Sequence, residues 1–148
     1  MSGKPFVVTE YVRWGDVDPE GIVRYDAYAR FMEIAEGDFF RALGVSYDDL
    51  FERYQIGVPR RVMHIDFLSS PTLDEQLEVR VYVSHVGTTS LKMHFDFYGP
   101  GGVTRAVGYL VIVCVDVNDV RRKRPWPPEL VALIEPYRMS ADGTGGAT

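Results

Sequence analysis

The sequence predicts an α+β domain in which a curved antiparallel sheet of about five strands wraps around one long helix. Two patterns carry this. Between residues 28 and 43, Tyr28, Phe31, Met32, Ala35, Phe39, Ala42 and Leu43 recur at spacings of three and four, making one apolar helical stripe. In the second half, apolar and polar residues alternate with a period of two, the signature of half-buried strands. Strands segregated from one main helix argue for an antiparallel sheet, and an aromatic stripe this broad needs a curled sheet to cover it.

The elements follow in order. Residues 6–14 read as a first strand, with Val7, Thr9 and Tyr11 alternating against Val8, Glu10 and Val12. Gly15, Pro19 and Gly21 mark a loop that leads into the helix, and Gly44 stands where a helix-closing glycine belongs. Ser46 with Asp49 has the form of a capping box, predicting a short second helix ending near Tyr54. Four strands are predicted next, over 58–68, 77–84, 91–97 and 103–117. Pro125, Pro127 and Pro128 exclude a further strand there, and Pro128 is placed to start a short helix over 129–134. Residues 1–5 are read as a flexible start, 6–137 as one domain and 138–148 as a flexible, glycine-rich tail.

Composition excludes several classes of function. A chain of 148 residues that is 46% hydrophobic and 25% charged is an ordinary globular domain. A net charge of -5 argues against a nucleic-acid partner. The most apolar run, 106–117, is shorter than the roughly 20 residues a membrane helix needs, so no membrane partner is expected. With no secretory signal pattern and a single cysteine, Cys114, the expected compartment is the cytoplasm. There is no G-x-S-x-G elbow, P-loop or dinucleotide fingerprint. His64, His85 and His94 lie far apart, without metal-ligand spacing, so no metal is expected.

The chemically informative stretch is WGDVDPEGIVRYDAYARFMEIAE, residues 14–36. It carries two carboxylates, Asp16 and Asp18, in a loop entering a helix. A helix start offers unpaired N–H groups and the positive end of the dipole, which together can hold a developing oxyanion. Either aspartate could equally do no more than cap a turn.

Trp14, Gly15, Asp16, Asp18, Pro19, Gly21, Ile22, Val23, Tyr25 and Tyr28 resemble the signature of the 4-hydroxybenzoyl-CoA thioesterase family of hotdog proteins. Phe31, Glu33 and Ala35 resemble that family's helix, and Leu43-Gly44 its close. The stretch 64–71, the acidic pair Asp74-Glu75 and the strand start 87–91 extend the likeness to about residues 7–130. The resemblance implies a hotdog fold and hydrolysis of an acyl-CoA thioester. It places the catalytic carboxylate on Asp18, as nucleophile or general base, and the oxyanion-donating N–H on Tyr25. Gly21, Ile22, Val23, Arg24, Tyr28, Met32, Glu33, His64, Thr89 and Ser90 would contact substrate. No cofactor is implied, coenzyme A being part of the substrate.

The chain also departs from the pattern. Arg24 stands where aromatic residues are common, and is either a surface arginine or a contact for a coenzyme phosphate or a polar acyl group. Some relatives bind coenzyme phosphates with basic residues at the start of the fourth strand, where this chain has Gly87, Thr88, Thr89 and Ser90. The basic run Arg121, Arg122, Lys123 and Arg124 is either solvated surface or a dock for the nucleotide end of the coenzyme.

An acyl-carrier protein in place of coenzyme A, or an acyl-thioester binding protein without turnover, are the alternatives. A hydratase of enoyl thioesters fits less well, because Val23 stands where its histidine would fall and the helix contains none. Unprotected sheet edges favour a homodimer or homotetramer with the site between subunits.

Overall fold

The computed structural model describes residues 3–141. The predicted tail from 142 to 148 and Met1 and Ser2 lie outside the described residues. Five antiparallel strands form one sheet: β1 (Phe6–Tyr11), β3 (Arg60–Phe67), β4 (Gln76–Val86), β5 (Ser90–Tyr98) and β6 (Thr104–Val113). Their spatial order is β1-β4-β5-β6-β3, so β1 and β3 are the two edges. The helix α1 (Ala27–Ala42) packs on this sheet, the hotdog arrangement the sequence predicts.

Alternation explains which face is buried. Val79, Val81 and Val83 on β4 and Met93, Phe95 and Phe97 on β5 point toward the helix and are fully buried. They meet Phe31, Phe39 and Phe40 of α1. Tyr28 sits edge-on to Phe31, Phe67 and Phe97, with ring centroids 5.2–5.7 Å away. The helix spans sixteen residues, and Gly44, at φ +79°, closes it while Val45 N–H donates to Phe40 O at 3.0 Å.

Several boundaries differ from the sequence reading. The first strand stops at Tyr11, because Asp16 Oδ2 captures the Arg13 N–H at 2.8 Å and turns the chain. The capping box is present: Asp49 N–H donates to Ser46 Oγ and Ser46 N–H to Asp49 Oδ2, at 3.2 and 2.9 Å. It opens a wide-wound helical turn over Asp49–Arg53. The single strand expected over 103–117 is broken at Cys114, whose N–H leaves the sheet for Thr89 O at 2.8 Å. Past the break, β7 (Val115–Asp116) joins β2 (Ile56–Gly57) and β8 (Asp119–Lys123) in a second, three-stranded sheet that the sequence did not reveal. The helix α2 (Pro128–Ile134) begins at Pro128, as its sequence predicts. At the ends of the described region, Lys4 N–H donates to Pro136 O at 3.2 Å and Met139 N–H to Val83 O at 3.0 Å.

On the sheet face away from α1, Tyr82, His94, Tyr109 and His64 stand side by side across four strands. Tyr82 stacks on His94 with centroids 4.7 Å apart, and Ser84 Oγ lies 2.7 Å from His94 Nε2. Burial, with help from Lys92, lowers the His94 pKa from 6.5 to about 4. Burial raises the neighbouring Asp96 from 3.8 to about 6, against the pull of Arg80.

These two shifts act on stability with opposite sign. Asp96 binds its proton more tightly in the folded chain, so its contribution falls as pH rises from about 4 to 6. His94 binds its proton less tightly when folded, so its contribution grows as pH rises from about 4 to 6.5. Urea denaturation between pH 4 and 7 separates them. Relative to wild type, Asp96→Asn makes the change in stability with rising pH more positive, whereas His94→Gln makes it more negative.

Candidate active site

The loop between β1 and α1 is held by a buried carboxylate. Asp16, 5% exposed, pairs with Arg30 of α1 and accepts the Arg13 N–H, while its own carbonyl accepts the Arg24 N–H at 2.7 Å. Of the two aspartates, Asp16 is therefore the one built into the fold. Residues Val17 and Val23 then pair as an isolated antiparallel bridge, and the chain between them makes a tight turn. Gly21 takes φ +83° there, which disfavours any residue with a Cβ, and donates to Asp18 O at 2.9 Å.

Asp18 sits at the base of this turn and is half-buried. Its Oδ1 accepts the N–H groups of Glu20 and Ile22 at 2.9 and 3.3 Å. Its Oδ2 has no hydrogen-bond partner among the described residues. One oxygen thus fixes the side chain and the other is left available. Tyr25, just before the helix start, is 79% exposed, and its N–H donates to no described residue.

Both residues line a cleft of about 750 Å³. Ile22, Val23, Arg24 and Tyr28 line it from the same side, and Phe67, Leu68, Ser69 and Ser70 form the facing wall. That wall is tied to the loop by Val23 N–H donating to Ser70 Oγ at 3.2 Å. It is held from behind by Arg105, whose guanidinium makes two bonds to Glu75 at 2.8 and 2.9 Å and whose carbonyl accepts the N–H groups of Leu68 and Ser69. Burial pushes the Tyr28 hydroxyl up to about 12, so it stands in the cleft as a neutral group. Ile22, Tyr25, Phe67 and Leu68 are large apolar side chains left 45–79% exposed around the opening, a patch of the kind that marks a binding surface.

Of the other sequence candidates, Arg24 lines the cleft but is already paired, and the rest fall elsewhere. The Arg24 guanidinium is engaged by Asp26 at 2.8 and 3.0 Å, which raises the arginine pKa and lowers that of the aspartate. Met32 and Glu33 line a second cavity further along α1. His64 is misplaced by the sequence reading: it lies on the sheet face away from the helix, stacked on Tyr109 at 5.1 Å and 3.2 Å from Asp66, and lines neither cavity. Strand parity decides this, since Met63 and Ile65 point toward the helix side and His64 between them must point out. Thr89 and Ser90 are likewise in neither lining; Thr89 O and Ser90 O serve the hairpin by accepting from Cys114 and Gly87. Arg121, Arg122 and Lys123 are exposed on β8, and Arg124 pairs with Asp116 at 2.8 Å. Among the described residues no group of three or more His, Cys, Asp or Glu side chains is placed to hold a metal, and no helix is long and apolar enough to cross a membrane.

Sequence reasoning missed the 67–70 wall entirely. Ser69-Ser70-Pro71 reads as the end of a strand, and no local signal shows that it folds against a loop 47 residues earlier.

The fold and this cleft define a hotdog protein with a carboxylate and a helix start in one cleft. The chain belongs to the thioesterase-like superfamily, whose family model matches residues 12–134. It is 32% identical over 91 residues to the acyl-CoA thioesterase YbgC of Haemophilus influenzae, a match that spans 61% of this chain and 65% of that protein, just under two thirds of its length. Among solved structures, a thioesterase-superfamily protein from Jannaschia sp. CCS1 superposes with a TM-score of 0.82 at 28% identity, covering 95% of this chain and 99% of that one. A 1,4-dihydroxy-2-naphthoyl-CoA thioesterase from Synechocystis shares the fold at a TM-score of 0.81 and 17% identity, covering 88% and 95%.

Asp16→Ala should leave the Arg13 N–H and Arg30 without their acceptor and lower the unfolding free energy by about 1–3 kcal/mol. The shift of the urea midpoint measures this.

Proposed function

We propose that the cleft hydrolyses an acyl-coenzyme A thioester, with Asp18 as the catalytic carboxylate and the Tyr25 N–H as oxyanion donor. The observation that carries the reading is the joint presence, in one cleft, of a carboxylate oxygen and a backbone N–H that each lack a partner among the described residues. The curated relative being an acyl-CoA thioesterase supports it, as does the resemblance to the 4-hydroxybenzoyl-CoA thioesterase family, within which we place the chain.

Two routes fit this geometry. In the first, Asp18 takes a proton from water as the water oxygen attacks the thioester carbonyl. Charge gathers on the carbonyl oxygen, where the Tyr25 N–H and the positive end of α1 stabilise it. The C–S bond then breaks, and the leaving thiolate takes the proton from the Asp18 carboxyl. In the second, an Asp18 oxygen attacks the carbonyl, expels the thiolate and forms a mixed anhydride that water opens. Neither route calls on a cofactor. Tyr28 and the 67–70 wall would contact the acyl group, and Arg24, by exchanging its exposed partner Asp26, a phosphate of the coenzyme.

The same reading includes a second copy of the chain. The edge strand β3 leaves its outer backbone groups without a described strand to pair with, and Met63 and Phe67 on it are about half exposed. Pairing two such edges makes a homodimer, or a homotetramer built from it, and brings the exposed cleft rim under a partner. Light scattering is expected to report at least a dimer; a stable monomer sinks this part.

Thiol release from a panel of acyl-CoAs tests the chemistry. Asp18→Asn keeps an oxygen to accept the Glu20 and Ile22 N–H groups, so the turn survives while the base or nucleophile is lost. Turnover should drop by at least about 10²-fold with unchanged circular dichroism. Near-wild-type turnover in Asp18→Asn would remove the assignment.

A further inference from the structure

The lining of the Asp18 cleft carries three carboxylates, Asp18, Glu20 and Asp26, against one cation, Arg24. The cations around it are already matched. Arg24 is held by both oxygens of Asp26 at 2.8 and 3.0 Å. Arg30, behind the loop, pairs with Asp16, and Arg105, behind the facing wall, with both oxygens of Glu75. Asp18 and Glu20 are left with no ion-pair partner among the described residues.

The chemistry proposed above uses the charge of Asp18, but not that of Glu20. Glu20 is exposed on the turn, and its N–H steadies Asp18 by donating to Oδ1 at 2.9 Å. That contact is made by the backbone, so any residue but proline supplies it. What the Glu20 side chain adds is an unmatched negative charge beside the apolar rim formed by Ile22, Phe67 and Leu68.

Nothing deeper in the cleft offsets that charge. The other polar side chains of the lining are Tyr28, Ser69 and Ser70, all uncharged. Tyr28 is 2% exposed, its hydroxyl has no hydrogen-bond partner among the described residues, and burial raises its pKa to about 12. Arg105 and Glu75 act on it in opposite directions, as a closed ion pair should. An acyl group ending in a carboxylate would therefore lose hydration at the rim, meet Glu20 and find no free cation.

We propose, resting on the reading of this cleft as an acyl-coenzyme A site, that Glu20 is a specificity-determining residue whose unmatched charge turns away acyl groups ending in a carboxylate and restricts the substrate to acyl chains without negative charge.

Thioether analogues, which the chain cannot hydrolyse, read this preference apart from turnover. The full chain is titrated calorimetrically with S-butyl-coenzyme A and with S-(3-carboxypropyl)-coenzyme A, which share the nucleotide and the three carbons next to sulfur. At an ionic strength of about 10 mM the butyl compound should bind at least about fivefold more tightly, and the preference should narrow at about 300 mM. Unit charges about 6 Å apart in water account for roughly threefold in affinity. Glu20→Gln should therefore shrink the preference about threefold, and Glu20→Lys, which reverses the charge, about tenfold. Equal affinity of the wild-type chain for the two analogues overturns the proposal. So does a preference that neither substitution moves, as hydration loss alone, or a cation of a second copy already bound to Glu20, would give. If neither analogue binds, the acyl-coenzyme A reading falls and this role of Glu20 with it. If both bind and only the preference fails to respond, that reading stands and the role of Glu20 alone is lost.

Discussion

A single buried carboxylate, Asp16, sets the path of the loop on which the candidate chemistry depends. A carboxylate taken out of water must be paired and hydrogen-bonded, or its burial costs several kcal/mol. Asp16 meets that demand with the Arg13 N–H on one side and Arg30 on the other. Since Arg30 belongs to the first turn of α1, the pairing ties the loop entry to the helix. The twelve residues between Arg13 and Asp26 cannot then drift, and the Asp18 side chain is presented at a fixed place beside the helix start. The two aspartates look alike as letters but divide the labour: one is consumed by the fold and the other keeps an oxygen free.

The facing wall is fixed by an equally local device. Residues 67–70 leave the sheet at the end of β3, where a chain with no further strand partner would ordinarily be loose. Arg105 prevents this by accepting the Leu68 and Ser69 N–H groups on its carbonyl while its guanidinium spans to Glu75. A bidentate pair of this kind resists rotation as well as separation. Ser70 then closes the gap by accepting the Val23 N–H. The cleft is therefore a space between two braced loops, and its rim is apolar on both sides.

How far this was readable from the chain follows from the range of each interaction. The helical stripe from Tyr28 to Leu43, the capping box at Ser46 and the alternation of β4 and β5 are local patterns, and all three appear where the residues put them. The loop carrying Asp18 is local too, which is why Asp18, Ile22, Val23, Arg24, Tyr25 and Tyr28 could be named together and do share a cleft. His64 fails because a strand flips its side chains with every residue, and which parity faces inward is decided by β6, some 45 residues away. The three-stranded sheet fails for a related reason. Its strands β2 and β7 are two residues each, too short for a period to show, and they exist because the chain breaks away from β6 at Cys114 to meet Thr89.

The two cavities along α1 differ in the polar groups that line them. At the helix start, backbone N–H groups are unpaired by construction and the dipole is positive, so the polar character of the cleft there comes from the backbone. One turn and more along, every backbone N–H is committed to the helix itself. Polar character there has to come from side chains, and in this chain it comes from Glu36, buried against Tyr47 and Arg60. The helix start therefore offers backbone donors, whereas the mid-helix cavity offers a buried carboxylate. Tyr28 and Met32, four residues apart on one helix, stand in the two linings because the first reaches the 67–70 wall and the second reaches β3 and the small sheet.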